Sequence, residues 1–446
     1  MQPVIPRPPL PPGPYLVVGL ARSGVAAALT LCGRGAEVAG VDSGPVASEA
    51  FERLLAAGVA VHAPHDGVDL LNGAGSVIKS PGVPKEAPVI AAARERGIPV
   101  LGEYETGWRL LGEHEFVAVT GSNGKTTTVE LIGHLHREAG VPAKVAGNVG
   151  TALTGLPGML APGTVIVAEA SSFQLEDTEA FAPEAAVLLN LAEDHLDRHG
   201  TFAAYRAAKL EIFARQPNDA VAVAPLGLGV EDLGGCARRV CFGAGPEAEL
   251  ADRAGQLWWD EQPLLAVSEL GLRGEHNVQN AMAAAAVCLA RGLDPEAVAA
   301  GLRSFRGLAH RLEEVATVGG VLYVNDSKAT NVASALVGIA SFPGGVHAIL
   351  GGRSKGGGFA ELAPAVAERC CAAYLIGETA PQLRHDLEPA GVPLYECGDL
   401  ERAVSAASGA ARPGEVVLLS PACPSFDQYA SYEQRGDHFR ALARAL

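Results

Sequence analysis

Short apolar runs alternate with helical stretches along most of the chain. The first runs lie at residues 15–18 and 37–41, separated by an alanine-rich segment that ends near Gly33. Short apolar runs bounded by glycine and separated by helical stretches predict buried parallel strands joined by helices. The beginning of the chain is therefore predicted to be a βαβ unit.

The same alternation returns in two further blocks. In the second block we predict strands at 116–119, 165–168, 185–189 and 220–223, a loop at 225–235, and helices at 125–139, 281–289 and 295–302. In the third block we predict strands at 322–324, 346–350, 373–376 and 416–419. The fold class is therefore α/β, with three domains of mainly parallel sheet.

These blocks set the predicted domain boundaries. Residues 1–14 contain seven prolines and show no apolar period, so we expect an extended, loosely ordered lead-in. A Rossmann-like domain is predicted at 15–109, a central domain of the P-loop type at 110–307, and a second Rossmann-like domain at 308–446.

Composition and charge exclude several classes of protein. The chain has 34 basic and 50 acidic residues, a net charge of −16, which disfavours a nucleic-acid or anionic-membrane binder. No apolar run approaches the roughly 20 residues of a spanning helix, and no signal peptide is apparent. The eight cysteines are scattered without a CxxC pair, so neither a disulfide framework nor a zinc site is expected. We predict a reduced, cytoplasmic protein without a membrane span.

One glycine-rich loop carries the strongest chemical signal. It has the sequence Thr-Gly-Ser-Asn-Gly-Lys-Thr-Thr at 120–127, between a predicted strand and a predicted helix. In such a loop the backbone N–H groups hold phosphates, the lysine reaches their outer oxygens, and the next threonine binds Mg²⁺. Val119 replaces the first glycine of the full P-loop pattern, so this is a short variant. An ordinary strand–turn–helix is the alternative.

A second glycine turn lies between the first two strands, at Gly19, Ala21 and Gly24, with Asp42 after the second strand. It is similar to a Rossmann fingerprint, but Ala21 replaces the middle glycine that lets a pyrophosphate approach. NAD binding is therefore disfavoured. Another phosphate-bearing ligand and a purely structural turn both remain open.

Further candidate residues follow the strands of the central block. Glu169 and the pair Asp194–His195 come after strands, and Lys209 lies on a predicted helix. Open α/β sheets bind ligands at the carboxyl ends of their strands, and these groups beside a phosphate loop suit a divalent metal. Taken alone, His195 would more often be a solvated loop residue and Lys209 a surface lysine.

In the third block, polar loops follow three predicted strands, at 325–331, 351–355 and 420–427. Three such loops in one domain predict a polar substrate with phosphates. Only seven lysines occur in the chain, and four of them fall within the motifs described above.

Together these segments resemble the Mur ligase family, over nearly the whole chain after the lead-in. The motifs at 308–311, 326–331 and 420–426 are most similar to the branch that adds D-glutamate. The resemblance implies an N-terminal domain for a UDP-linked substrate, a central ATP-binding domain and a C-terminal amino-acid-binding domain. The implied reaction joins D-glutamate to UDP-N-acetylmuramoyl-L-alanine through an acyl phosphate, in cytoplasmic peptidoglycan precursor synthesis.

The resemblance also implies residue roles. For ATP it implies Gly121, Ser122, Asn123, Gly124, Lys125, Thr126, Thr127, Asn277, Asn280, Arg311 and Asp326. For the UDP-muramoyl substrate it implies Arg22, Ser23, Asp42, Ser43, Ser80, Gly82, Asn148, Ser171 and Gln174. For D-glutamate it implies Lys328, Thr330, Lys355, Ser425, Phe426 and Tyr432. Two Mg²⁺ ions would be held by Thr126, Glu169, His195 and a carbamylated Lys209. The implied catalytic residues are Lys125, Glu169, His195, Lys209, Arg311 and Lys328.

Two positions depart from the family pattern. Arg353 stands where the family often has aspartate, and Tyr432 stands where phenylalanine occurs. Alternative functions are a sister Mur ligase, a ligase like folylpolyglutamate synthetase, and a nucleotide-binding regulator without catalysis. We expect a monomer.

Overall fold

Three separate sheets organise the chain. The computed structural model describes residues 4–228, 233–272, 274–354 and 356–446. Most strand pairs are parallel and helices connect them, which confirms the predicted three-domain α/β class. The chain divides into two compact units, one with the first two sheets (residues 1–270 and 275–305) and one with the third (271–274 and 306–446).

The first sheet has five parallel strands in the order β3-β2-β1-β4-β5. Its strands are β1 (Tyr15–Val18), β2 (Val38–Val41), β3 (Ala60–His62), β4 (Ser76–Lys79) and β5 (Val100–Gly102). Its helices are α1 (Arg22–Gly33), α2 (Ser48–Ala56), α3 (Pro88–Glu95) and α4 (Glu103–Leu110). The strand order reverses at β1, beside the predicted glycine turn, where such sheets bind ligands.

The second sheet has nine strands in the order β14-β13-β12-β11-β10-β9-β6-β8-β7. They are β6 (Phe116–Thr120), β7 (Ala143–Gly147), β8 (Val165–Glu169), β9 (Ala185–Leu188), β10 (Val221–Pro225), β11 (Arg238–Gly243), β12 (Leu250–Arg253), β13 (Gln256–Trp259) and β14 (Gln262–Ala266). The helices are α5 (Lys125–Glu138), α6 (Ser172–Leu175), α7 (Leu196–His199), α8 (Phe202–Leu210), α9 (Glu275–Ala290) and α10 (Pro295–Ser304). β12 pairs parallel with β11, whereas the pairs β12–β13 and β13–β14 are antiparallel; these three strands were not predicted.

The third sheet has six strands in the order β15-β16-β20-β17-β18-β19, all parallel except β15. They are β15 (Glu313–Val318), β16 (Val321–Asn325), β17 (Val346–Gly351), β18 (Cys370–Ile376), β19 (Leu394–Gly398) and β20 (Val416–Leu419). The helices are α11 (Val332–Ala340), α12 (Ala363–Arg369), α13 (Ala380–Leu387), α14 (Leu400–Ala410) and α15 (Tyr432–Arg444).

The centres of the sheets are buried on both faces, as the continuous apolar runs predict. Every residue of β6 and β8 is buried. Helix α9 is longer than predicted, and its six consecutive residues from Ala281 to Ala286 are fully buried. Small side chains let this helix approach α5 and the sheet closely, which explains its alanine content. Among the described residues, no helix has the length and apolar character needed to cross a bilayer.

The prediction of a loosely ordered lead-in is wrong for residues 4–14. The side chain of Arg7 is buried and donates hydrogen bonds to the backbone carbonyls of Trp108, at 2.7 Å, and His114. Its guanidinium also lies 3.8 Å from Glu184, which accepts hydrogen bonds from the Ile5 N–H at 2.8 Å and the Phe116 N–H at 2.7 Å. Burial lowers the pKa of Arg7 to about 10. The lead-in is extended, as proline requires, but these polar contacts hold it against the central domain.

Candidate active site

The glycine-rich loop connects β6 to α5, as predicted. Gly124 precedes the helix in a left-handed conformation (φ 83°), which favours glycine. A Cβ there would lie 2.2 Å from the side-chain oxygen of Asn280, so any other residue would also collide. The Asn123 N–H donates to the side-chain oxygen of Asn190 at 2.9 Å, and the Asn123 carbonyl accepts from the Asn190 side-chain amide at 3.1 Å. The loop is therefore held from two sides.

The segment after β9 lies directly against this loop. Ser122 donates through its N–H to the Asn190 carbonyl at 3.1 Å and through its hydroxyl to the Ala192 carbonyl at 3.0 Å. The Ser122 hydroxyl also lies 3.0 Å from the Tyr205 hydroxyl. Thr127 is buried on the first turn of α5. The carboxyl ends of β6 and β9 thus form one polar edge.

Two lysines point to the same place in the loop. The Lys125 ammonium donates to the carbonyls of Gly121 and Ser122, at 2.7 and 2.9 Å. Lys209, on α8, is 2% exposed and donates to the same Gly121 carbonyl at 2.8 Å. The sequence alone allowed Lys209 to be an ordinary surface lysine, and its burial excludes that alternative.

The surroundings of Lys209 disfavour its charged form. Burial and the nearby Lys125 charge lower its pKa to about 7, although Asp194 and Glu169 partly oppose this. The amine lies 4.6 Å from the centre of the Tyr205 ring. A large fraction of this lysine is therefore neutral near neutral pH, unlike a solvated lysine.

A buried carboxylate lies opposite the start of α5. Glu169 ends β8, is 2% exposed, and accepts a hydrogen bond from the Thr126 hydroxyl at 2.9 Å and from the Asn148 amide at 2.9 Å. The Asn148 carbonyl also accepts from Arg22 of the first domain at 3.0 Å. Threonine and carboxylate oxygens side by side are a suitable ligand pair for Mg²⁺.

His195 lies on the loop that follows β9 and has a positive φ of 51°. Its imidazole is about half exposed, 3.5 Å from the Asp194 carboxylate and 4.9 Å from the centre of the Phe173 ring. Asp194 is close enough to Lys209 to raise its pKa. His195 is thus open to solvent, with its loop beside the glycine-rich loop.

Ser171 and Gln174 bond to each other in a capping box. The Ser171 hydroxyl accepts from the Gln174 N–H at 3.3 Å, and the Gln174 side chain accepts from the Ser171 N–H at 2.9 Å. Ser171 is only partly buried, whereas Gln174 is 3% exposed. These two residues therefore fix the first turn of α6, whatever further contacts they make.

The first-domain turn is closed by Ser80. A Cβ on Gly24 would lie 1.8 Å from the Gly19 carbonyl, to which the Ser80 hydroxyl donates at 2.7 Å. Asp42 accepts from the Leu20 N–H at 2.7 Å. Around this closed turn, Arg22, Ser43 and Gly82 are exposed and Ser23 is half-buried. An exposed polar rim around a glycine turn can receive a ligand.

The predicted adenine residues lie on one face of α9. The Asn280 amide donates to the Asn277 side-chain oxygen at 3.2 Å, and Asn280 is also the neighbour of Gly124 described above. This places the two asparagines beside the glycine-rich loop.

In the second unit, Asp326 follows β16 and is 5% exposed. It accepts from the Ser420 hydroxyl at 2.7 Å and from the Leu312 N–H at 3.3 Å. Burial raises the pKa of Asp326 to about 7, against the nearby charge of Arg311. The neighbouring His310 has a positive φ of 64° and its pKa is lowered by burial.

The described members of the predicted D-glutamate set lie on the segments after β16 and β20 and at the start of α15. The Lys328 ammonium lies 5.9 Å from the centre of the Tyr432 ring, and Thr330 donates its N–H to the Lys328 carbonyl at 2.9 Å. The Ser425 hydroxyl is buried and, among the described residues, has no hydrogen-bond partner, whereas Phe426 is 60% exposed. Lys355 lies outside the described residues.

The two departures from the family pattern have different surroundings. Arg353 has an exposed side chain, and its N–H donates to the Pro424 carbonyl at 2.9 Å. Burial and the neighbouring Glu433 raise the pKa of Tyr432 to about 12, so its hydroxyl stays protonated.

One important residue was missed by the sequence analysis. Arg435, on α15, is 1% exposed and donates to the Ser327 hydroxyl at 3.0 Å and to the carbonyls of Ser327 and Cys423 at 2.9 and 3.0 Å. It also donates to the Gly351 carbonyl at 3.4 Å. A single arginine thus connects the loops that follow β16, β17 and β20. The only indication of this role in the sequence is that a charged residue lies on the inner face of an amphipathic helix.

Three family models match the chain in sequence order. They are the Mur ligase MurD-like N-terminal domain at residues 14–102, the Mur ligase middle domain at 119–288, and the glutamate ligase domain of Mur ligases at 310–423.

Individual relatives agree with these models. A UDP-N-acetylmuramoylalanine–D-glutamate ligase from Acidobacterium capsulatum is 43% identical, with 96% of each chain covered. One from Anaeromyxobacter dehalogenans is 44% identical, again with 96% of each chain covered. The crystal structure of a UDP-N-acetylmuramate–alanine ligase from Thermotoga maritima shares the fold, with a TM-score of 0.59 at 20% identity, covering 97% of this chain and 99% of its own. The chain is therefore a ligase that belongs to the Mur ligase family.

Proposed function

We propose that this chain is an ATP-dependent ligase that adds D-glutamate to UDP-N-acetylmuramoyl-L-alanine, a cytoplasmic step of peptidoglycan precursor synthesis. The observation that carries the proposal is the identity of 43–44% over 96% of the chain with ligases of that name. The predicted division at residues 15–109, 110–307 and 308–446 remains part of this proposal, as does a monomeric state.

ATP and Mg²⁺, which ligases of this family use, fit the polar edge of the central sheet. When bound, ATP supplies the phosphoryl group that turns a carboxylate into an acyl phosphate, and Mg²⁺ neutralises phosphate charge. Lys125 and the N–H groups of 121–127 would hold the phosphates, and Thr126 with Glu169 would hold one Mg²⁺. The 2.9 Å contact between their oxygens supports this pairing. Asn277 and Asn280 would lie near adenine.

For a second Mg²⁺ we propose His195 and a carbamate on Lys209. The neutral amine attacks CO₂, a nitrogen–carbon bond forms, and the displaced proton goes to solvent. The product is an anionic oxygen ligand in place of a cation. The lowered pKa of Lys209, about 7, supports this because only the neutral amine reacts. An arginine at this position could not react in this way.

The chain's residues then position the reactants and hold charge. Arg22, Ser23, Asp42, Ser43, Ser80, Gly82, Asn148, Ser171 and Gln174 would bind the UDP-muramoyl substrate. Lys328, Thr330, Lys355, Ser425, Phe426 and Tyr432 would bind D-glutamate, while Asp326 and Arg311 would contact the nucleotide. The amine of D-glutamate attacks the activated carbonyl, and phosphate leaves. Lys125 and Lys328 would neutralise the charge that develops.

The test is phosphate release by the full chain with ATP and Mg²⁺. We expect release only when UDP-N-acetylmuramoyl-L-alanine and D-glutamate are both present, and a severe loss with Lys125→Ala. Lys144→Ala, at an exposed position of β7, is the matched control and should keep full activity. Turnover with L-glutamate or L-alanine instead of D-glutamate would overturn the substrate assignment. No phosphate release with any acceptor would favour a non-catalytic regulator.

A further inference from the structure

Three chemically different side chains meet at one edge of the third sheet. His347 is the second residue of β17, Cys371 is the second residue of β18, and Glu415 directly precedes β20. These strands are neighbours in the sheet, with β17 paired to both of the others. One possible ligand atom from each residue lies within 4.8 Å of the other two.

The distances are close to those of a tetrahedral metal centre. The His347 Nε2 lies 3.0 Å from one oxygen of Glu415, and the Cys371 Sγ lies 3.8 Å from its other oxygen. Zinc–ligand distances of about 2.0 to 2.3 Å place tetrahedral ligands roughly 3.3 to 3.7 Å apart. Small rotations of the side chains would therefore be enough to centre an ion between them.

The surroundings fix the ligands and leave a route of entry. The side chain of His347 is 4% exposed, and its other ring nitrogen lies 3.1 Å from the Tyr374 hydroxyl. The Arg412 N–H donates to a Glu415 oxygen at 2.7 Å. Cys371 is exposed, so an ion can reach the site from solvent. A histidine held through its second nitrogen and an oriented carboxylate are typical of metal sites.

We propose that His347, Cys371 and Glu415 form a zinc-binding site. The thiolate favours zinc over Mg²⁺, and three protein ligands leave one position for water. On binding, the Cys371 thiol releases its proton to solvent and a sulfur–zinc bond forms. When Nε2 of His347 binds the ion, its Nδ1 carries the ring proton, which the Tyr374 hydroxyl oxygen accepts. That hydroxyl can donate or accept, so it serves both tautomers.

This site is remote from the proposed catalytic residues of the same unit. Asp326, Arg353 and Ser425 follow the carboxyl ends of the strands, whereas the zinc ligands lie at the opposite, amino ends. The ion would therefore fasten three strands without taking part in catalysis. No zinc site was predicted from the sequence, because the chain has no closely spaced cysteines. The ligands proposed here come from three separate strands instead.

Cobalt provides the test, because a Co²⁺–thiolate bond produces an intense charge-transfer band that oxygen and nitrogen ligands do not. The metal-stripped full chain is titrated with Co²⁺ in excess Mg²⁺, which occupies the other proposed metal positions. We expect one equivalent of Co²⁺ with this band, loss of the band when Zn²⁺ is added, and proton release on Zn²⁺ binding.

Variants assign the band to these residues. Cys371→Ser should abolish it, whereas Cys397→Ser, at a partly exposed cysteine of β19, should leave it unchanged. Tyr374→Phe keeps the ring packing and should weaken binding about 10- to 100-fold, because only the supporting hydrogen bond is lost. Circular dichroism checks that each variant is folded. Absence of the band in the unaltered chain, or its persistence in folded Cys371→Ser, would overturn the proposal.

Discussion

Lys125 and Lys209 donate hydrogen bonds to the same oxygen atom, the carbonyl of Gly121, at 2.7 and 2.8 Å. Two ammonium groups at one carbonyl repel each other, and Lys209 is the more deeply buried of the two. Its pKa is therefore lowered to about 7. The proposed carbamate removes this repulsion, because it replaces one cation with an anion.

The first prediction concerns the pH dependence of this modification. Below pH 7 the Lys209 amine is mostly protonated and reacts little with CO₂, whereas above pH 7 it is mostly neutral. Bicarbonate should therefore stimulate a CO₂-depleted preparation strongly about one pH unit above this pKa and weakly about one unit below it. Initial rates in buffers with and without bicarbonate measure the effect. Equal rates in both buffers above pH 7 would refute the carbamate.

A variant separates the carbamate from a merely structural lysine. Lys209→Ala should lose most activity and regain part of it when acetate is added, because a small carboxylate can occupy the vacated space as an oxygen ligand. Lys209→Arg should stay inactive with acetate, because its side chain fills that space. Full activity of Lys209→Ala without acetate would exclude any catalytic role of this residue.

The second prediction concerns the proposed Mg²⁺ ligand Glu169. Glu169→Gln keeps the shape of the side chain but removes its charge, so turnover should fall by about 100-fold or more while KM for ATP changes little. Titrating Mg²⁺ in steady-state assays should also show a higher requirement for the metal. The control variant is Glu176→Gln. It removes the charge of a different carboxylate, which forms an ion pair with Arg198 at 2.8 Å. A near-normal turnover number for Glu169→Gln would remove this residue from the site.

The third prediction compares two serines of the second unit. The buried Ser425 hydroxyl has no hydrogen-bond partner within the part of the chain that the structure describes, so Ser425→Ala should leave the melting temperature unchanged and raise KM for D-glutamate about tenfold. Ser420 donates to Asp326 at 2.7 Å, so Ser420→Ala should destabilise the protein by about 1 kcal/mol. Calorimetry and kinetics separate the two effects. An unchanged KM in Ser425→Ala would place this hydroxyl outside the D-glutamate site.

The fourth prediction concerns a buried ion pair between the first two domains. The Lys79 ammonium, at the end of β4, donates to Asp177, and both side chains are almost completely buried. Lys79→Met leaves the carboxylate buried without its cation and should cost about 3–5 kcal/mol of stability. The double variant Lys79→Met with Asp177→Leu should recover most of this loss. Urea unfolding measures both, and equal losses in the two variants would show that the charge pair is not the cause.

Sequence patterns predicted the central strands well because these strands are buried on both faces. Val117 and Val167, for example, lie in continuous apolar runs and are fully buried. Strands β12 to β14 were missed because they combine polar residues, such as Arg253 and Gln256, with apolar ones. Their partners are local in sequence, because two-residue turns at 254–255 and 260–261 join the three strands into consecutive hairpins. The prediction looked for buried apolar runs and did not use these turns.

The glycine-rich loop and Glu169 could be predicted because their motifs are local in sequence. Arg435 could not, because its partners Ser327, Gly351 and Cys423 lie on loops far apart in the chain. Arg7 was missed for the same reason, since a proline-rich segment shows no sign of the carbonyls that a distant helix presents to it. Contacts of this kind become visible only when the strands are placed side by side.

The proposed reaction determines where one oxygen atom of the substrate carboxylate must go. If the carboxylate of UDP-N-acetylmuramoyl-L-alanine is phosphorylated before D-glutamate attacks, one of its oxygens must leave with the phosphate. We therefore propose incubating the full chain with ATP, Mg²⁺, D-glutamate and substrate labelled with ¹⁸O in that carboxylate, followed by mass spectrometry of the phosphate. The predicted result is one ¹⁸O atom in each phosphate released, in step with the D-glutamyl product. Unlabelled phosphate, or phosphate released without that product, would contradict it.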